Sequence, residues 1–77
     1  MSDEIAYCVR TAINQYLEQL DGEEPRNVYA MVMERIEHTL LDCMMGHSQQ
    51  NQSKTAARLG ISRATLRKKL IEHDLLG

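Results

Sequence analysis

Two long stretches of this chain carry apolar side chains at steps of three and four, and that spacing dictates helices. Val9, Ala12, Ile13, Tyr16, Leu17 and Leu20 fall on one face of a helix read from about Asp3 to Leu20. Asp3 and Glu4 in its opening turn suit the positive end of the helix dipole. Asp21-Gly22 supplies the stop, because glycine accepts the left-handed conformation that closes a helix. The polar run Glu23-Glu24-Pro25-Arg26 follows, with the single proline placed where a helix can begin. A second helix is expected from about Pro25 or Arg26 to Met45. Its seam is Tyr29, Val32, Met33, Ile36, Leu40, Cys43 and Met44, widened by Val28, Met31 and Leu41. Gly46-His47-Ser48-Gln49-Gln50 breaks the pattern and reads as a loop. Two short helices, roughly Gln52–Leu59 and Arg63–His73, complete the chain, joined at Gly60-Ile61-Ser62.

Composition agrees with an all-α class. The aromatic residues are three tyrosines, beside five methionines and many leucines and isoleucines. Unbranched and γ-branched apolar residues suit helices, whereas strands favour β-branched and aromatic ones. The 77 residues make one domain. A domain of this size buries only about 60% of its unfolded surface, so its own core is marginal. The apolar band on the second helix is wider than one packing partner covers, which predicts burial against a second copy of the chain.

The formal charge of −2 hides an asymmetry. Residues 1–46 hold Arg10, Arg26 and Arg35 against nine acidic side chains, a net of −6. Residues 47–77 hold Lys54, Arg58, Arg63, Arg67, Lys68 and Lys69 against Glu72 and Asp74, a net of +4. A polyanion responds to the field of the face it meets, so the basic segment is the one to examine. The organisation expected is residues 1–46 for dimerisation and 47–77 for binding, within one domain.

Other classes are disfavoured. Cys8 and Cys43, 35 positions apart, make no disulfide framework, and Cys43 on the apolar seam reads as a core thiol. No apolar run approaches the length of a membrane span or a signal sequence, and Met1 reads as a native start. A reduced cytoplasmic setting without membrane contact is expected. His38, His47 and His73 show no metal spacing with each other or with the cysteines, and read as surface or helix-end residues. No glycine-rich phosphate loop is present. The reading is a non-enzyme with no metal and no cofactor.

The segment from Asn51 to Leu66 carries the function. Two short helices that cross steeply need a small residue at the crossing, and Ala56 meets that need. Four residues on, Gly60 permits a sharp turn. Ile61 and Leu66 then fill the gap between the helices, with Leu59 and Leu70 completing a small core. Asn51 and Ser62 stand where a side-chain oxygen caps the helix that follows. This is a helix-turn-helix, and its second helix begins with Arg63, at the end that enters a major groove. The guanidinium fork of Arg63 matches the O6 and N7 acceptors of guanine. Thr65 with Lys68, and Arg63 with Arg67, flank the exposed side, and Lys69 adds charge at the helix edge. These cations suit phosphates, with Asn51, Gln52 and Ser53 offering donors at the preceding helix start.

The stretches Asn51-Gln52-Ser53-Lys54, Leu59-Gly60-Ile61-Ser62-Arg63 and Thr65-Leu66-Arg67-Lys68-Lys69-Leu70 resemble the Fis family of bacterial nucleoid-associated proteins. Tyr16, Gln19-Leu20, Gly22, Tyr29 and Leu40-Leu41-Asp42 extend the resemblance over about residues 7–75. It implies four helices per subunit and an intertwined homodimer whose closely spaced recognition helices bend double-stranded DNA in the bacterial nucleoid and regulate transcription. It also implies DNA contacts from Asn51, Ser53, Lys54, Ser62, Arg63, Thr65, Arg67, Lys68 and Lys69. Few base contacts would leave sequence preference to minor-groove compressibility. The chain departs from the enteric pattern in three places. About six residues precede the match, so the arm that touches a DNA invertase is not expected. Thr39 stands where those proteins have proline, so no proline kink is expected. Ile71-Glu72 replaces a basic pair, with Glu72 four residues from Lys68, which lowers the expected affinity and salt dependence. The same motif closes NtrC-type activators, so a detached activator domain is the alternative reading, and a helical dimer that binds a protein partner is a third.

Overall fold

The computed structural model describes residues 2–76, and these form four helices: α1 (Ser2–Gln19), α2 (Val28–His47), α3 (Gln52–Leu59) and α4 (Arg63–Glu72). The described residues contain no strand, as expected for an all-α subunit ending in a helix-turn-helix. The chain is elongated, 45 × 27 × 18 Å, because α1 and most of α2 project away from the packed end.

The packed end is the helix-turn-helix set on the last turns of α2. Leu41 and Met45 of α2, Ala56 of α3, and Leu66 and Leu70 of α4 are buried together. Leu59, Ile61, Leu75 and Leu76 close the rim of this cluster. The expected core of Ala56, Leu59, Ile61, Leu66 and Leu70 is therefore present, and α2 supplies its floor. Ala56 is 3% exposed, the small residue that lets the two short helices approach. Thr55 is fully buried, and its hydroxyl donates to the Asn51 carbonyl at 2.8 Å.

Element ends follow from backbone hydrogen bonding. Gly60, at φ 79°, closes α3 with its N–H on the Ala57 carbonyl and the Ile61 N–H on the Ala56 carbonyl. This paired arrangement satisfies the last carbonyls and turns Ile61 onto the core. Three boundaries around the last three helices move from those expected. α2 begins at Val28 rather than at Pro25 or Arg26, because Asn27 is left-handed (φ 54°) and interrupts any helix running through it. At the other end, Gly46 and His47 belong to the helix rather than to a loop. The chain turns instead at Gln49 and Gln50, both left-handed, with the Gln50 N–H bonded to the Met45 carbonyl at 2.8 Å. α4 ends at Glu72, one residue earlier than expected, where Asp74 (φ 57°) takes the turn and the Leu75 N–H returns to Leu70. α2 runs unbroken through Thr39.

The long helices keep an uncovered apolar face. Tyr29 is 80% exposed, and Met33, Ile36 and Leu40 continue the same stripe in exposed positions. Cys43 is exposed too, because it lies on that stripe; it is not a core thiol within one chain. Ile5, Tyr7 and Leu17 of α1 are likewise exposed.

Candidate nucleic-acid interface

Both short helices start from side-chain caps. Asn51 accepts the Lys54 N–H on Oδ1 at 2.9 Å, and Ser62 accepts the Thr65 N–H on Oγ at 3.0 Å. Each cap satisfies one of the N–H groups that a helix start leaves without a partner. The Ser62 hydroxyl also donates to Thr65 Oγ1 at 2.8 Å, which leaves the Thr65 hydroxyl proton free to point outward. The caps therefore fix two exposed helix starts with their dipoles and donors facing solvent.

The sequence-predicted residues divide into two groups. Asn51, Ser53, Lys54, Ser62, Arg63, Thr65, Arg67 and Lys68 are exposed, and Gln52 is half-buried with its Oε1 enclosed and unbonded. Leu66 and Leu70 turn inward, so helical spacing carries Thr65 and Lys68 away from the core while Arg63 and Arg67 edge the same open surface. No ion pair among the described residues engages Lys54, Arg63, Arg67 or Lys68, and Lys68 makes none with Glu72. Lys69 stands apart. Its ammonium donates to Glu37 Oε2 on α2 at 2.8 Å.

Glu37 is the residue that sequence reading missed. One carboxylate oxygen takes Lys69 and the other takes His73 Nε2, also at 2.8 Å. An ionised carboxylate only accepts, so Nε2 is the protonated ring nitrogen in this pair. The bonds from Lys69 and then His73 hold the Glu37 carboxyl below its ordinary range, against partial desolvation. Glu37 in turn raises Lys69 above the usual lysine range. His73, only 9% exposed at its side chain, also packs in a T-shaped arrangement with the His38 ring, centroids 5.6 Å apart and planes at 70°. The available signal was register: Glu37 lies four residues before Leu41 and eight before Met45, on the stripe that faces the helix-turn-helix.

Arg58 is the second residue missed as a brace. It hydrogen bonds the His47 carbonyl at 3.5 Å and Ser48 Oγ at 3.2 Å. A guanidinium on the last carbonyls of α2 answers their partial negative charge and ties α3 to that end. Arg58 is thus a basic residue of the segment with one guanidinium nitrogen, Nη1, already engaged within the protein. Among the described residues no group of three or more histidine, cysteine or acidic side chains could hold a metal ion. No described helix is long and apolar enough to cross a membrane.

Comparison with known proteins places this geometry. The family model for bacterial regulatory proteins of the Fis family matches residues 32–73, from the second turn of α2 to just past the end of α4. The chain is 48% identical over 73 residues to a Fis-like DNA-binding protein of Neisseria meningitidis serogroup B, covering 95% of this chain and 92% of that one. It is 50% identical over 72 residues to a Fis-like DNA-binding protein of Ralstonia nicotianae, with 94% of each covered. The DNA-binding protein Fis of Glaesserella parasuis is 45% identical over 67 residues, 87% of this chain and 68% of that longer protein. With the matched region spanning the whole packed end and the likeness continuing through α1, the chain belongs to the Fis family of bacterial regulatory proteins.

Proposed function

We propose that this protein binds double-stranded DNA as a homodimer, bends it, and regulates transcription from the bacterial nucleoid. The observation that carries this reading is the pair of capped helix starts with free cations. Asn51 and Ser62 fix the N-termini of α3 and α4, and Arg63, Arg67 and Lys68 stand exposed and unpaired beside them among the described residues. The start of α4 enters the major groove, where Arg63 takes guanine and Thr65 adds a hydroxyl. Asn51, Gln52, Ser53, Lys54, Ser62, Arg67 and Lys68 meet phosphate and sugar oxygens, whereas Lys69, which the resemblance also implies at DNA, is held by Glu37. The action is binding and shaping of DNA rather than catalysis.

Dimerisation is supported by the uncovered stripe from Tyr29 to Cys43 on a helix too long for its own chain to cover. Residues 1–46 serve that contact and 47–77 serve DNA, with Leu41 and Met45 joining the two parts. The resemblance implies recognition helices spaced more closely than one turn of straight duplex, about 34 Å, and such a pair reaches two grooves only if the DNA curves.

A circular-permutation gel shift tests binding and bending together. The expected result is a salt-sensitive complex whose mobility depends on where the site lies in the fragment. Absence of any complex at low ionic strength overturns the DNA reading, and position-independent mobility overturns bending. In the same assay Arg63→Ala loses about 1–3 kcal/mol of preference for guanine at one position of each half-site. Uniform weakening on all sequences would reassign Arg63 to phosphate.

A further inference from the structure

We propose that Glu37 is a positioning residue for DNA binding, clamping the C-terminal half of α4 to α2 and keeping the Lys69 ammonium off the DNA phosphates. The inference rests on the DNA reading above and divides the basic residues of α4 into those that touch DNA and one that aims the helix.

The geometry is specific. Glu37 bonds Lys69 in the last turn of α4 with one carboxylate oxygen and His73, the residue that caps the helix, with the other, two positions four apart and therefore on one side. Lys69 and His73 lie beside Leu66 and Leu70, the buried line of α4, so the polar clamp continues the apolar contact along the same side. The apolar contacts that hold α4 are non-directional, so they specify its tilt less sharply than hydrogen bonds do. Two hydrogen bonds to one carboxylate sharpen that tilt, and they act at the end of α4 opposite Arg63. A small change of tilt there is carried to the groove-facing end by the rigid helix. The His38 ring packed against His73 limits the imidazole's own movement. The other charged groups nearby are Glu34 of α2 and Glu72 of α4, which line the same shallow dip as Glu37 and His73. They add negative charge, which favours keeping Lys69 on the protein.

Lys69 differs from its neighbour in consequence. Lys68 has no ion-pair partner among the described residues and is exposed, whereas Lys69 is half-buried and already neutralised. A phosphate would have to compete with a carboxylate at 2.8 Å and would leave Glu37 facing acidic neighbours. Counterion release on binding therefore counts Lys68 and omits Lys69.

The test is the slope of log Kobs against log salt concentration, read by fluorescence anisotropy of the full chain on one labelled duplex. Lys68→Gln is expected to lower the slope by about 0.9 per subunit. Lys69→Gln leaves the slope near the wild-type value, and Glu37→Gln raises it by freeing Lys69 for phosphate. Thermal unfolding supplies an independent readout. Glu37→Gln and Lys69→Gln each lower Tm, and the double variant falls by less than the two shifts combined. A slope loss in Lys69→Gln equal to that in Lys68→Gln overturns the proposal, as do additive Tm shifts. Unchanged binding in both Lys68→Gln and Arg63→Ala, with non-additive melting retained, sinks the DNA face and leaves the clamp supported.

Discussion

At the residue scale, single backbone and side-chain positions set the geometry of the turn. Gly60 sits at φ 79°, and a Cβ built there meets no atom within 4 Å. Substitution therefore acts through the backbone alone. Gly60→Ala is expected to cost about 1–2 kcal/mol, a fall in Tm of roughly 4–8 °C per kcal/mol, with the fold retained. A larger loss, measured by circular dichroism, would mean that the turn itself had rearranged. Glu37 makes a different kind of prediction, one of pH. Its folded carboxyl titrates below the unfolded one, so its stabilisation is present above about pH 4.5 and is lost as pH falls through the depressed value. Lys69 is raised, so its share is present below the ordinary lysine range and is lost as pH climbs through the raised value. Between these limits the clamp is intact. Glu37→Gln should flatten the decline of Tm from pH 5 to pH 3; an unchanged decline would show that other carboxylates govern it.

At the element scale, α2 has two working faces and the helix-turn-helix depends on one of them. Leu41 is 2% exposed against α3 and α4, while Leu40 next to it is 47% exposed on the uncovered stripe. Truncating the first opens a cavity and removes the floor of the motif, at a cost of about 2–5 kcal/mol. Leu41→Ala is thus expected to melt the helix-turn-helix while Leu40→Ala chiefly weakens association. Hydrogen exchange of α3 and α4 amides separates the two, with protection lost in the first variant and largely kept in the second. Equal loss in both would mean that α3 and α4 depend on the partner chain as much as on α2. The caps belong to this scale as well, because each determines where a short helix starts and so which side chains stand at its exposed end.

At the scale of the molecule, the mismatch between a small core and a long apolar stripe is the controlling fact. Among the described residues five buried apolar side chains form the core, and Tyr29, Met33, Ile36 and Leu40 lie uncovered outside it. Sedimentation equilibrium at micromolar concentration is expected to give about twice the 8.8 kDa chain mass, with Tm rising with protein concentration by mass action. A monomer with a concentration-independent Tm would refute the dimer. Charge is distributed to match: the stripe belongs to the part with net −6, and the exposed cations beside the two capped helix starts to the part with net +4.

Most of what near neighbours govern was legible in the amino-acid order. Helical spacing gave the four elements, Asn51 and Ser62 announced their caps, and Gly60 with Ala56 announced the turn and the crossing. Each of these rests on bonds spanning three to five residues, which a local pattern encodes. The boundary errors were local as well, at ends where Asn27, Gln49 and Gln50 adopt left-handed backbone, whereas the exposure of Cys43 depended on which face of α2 is covered. The tertiary structure alone decided which face of α2 meets the helix-turn-helix, since Leu41 and its neighbours offered apolar stripes on more than one side. It alone joined Glu37 to Lys69 and His73, 32 and 36 residues away. A carboxylate on a helix surface ordinarily belongs to solvent, and only the docking of α4 brought two donors within its reach.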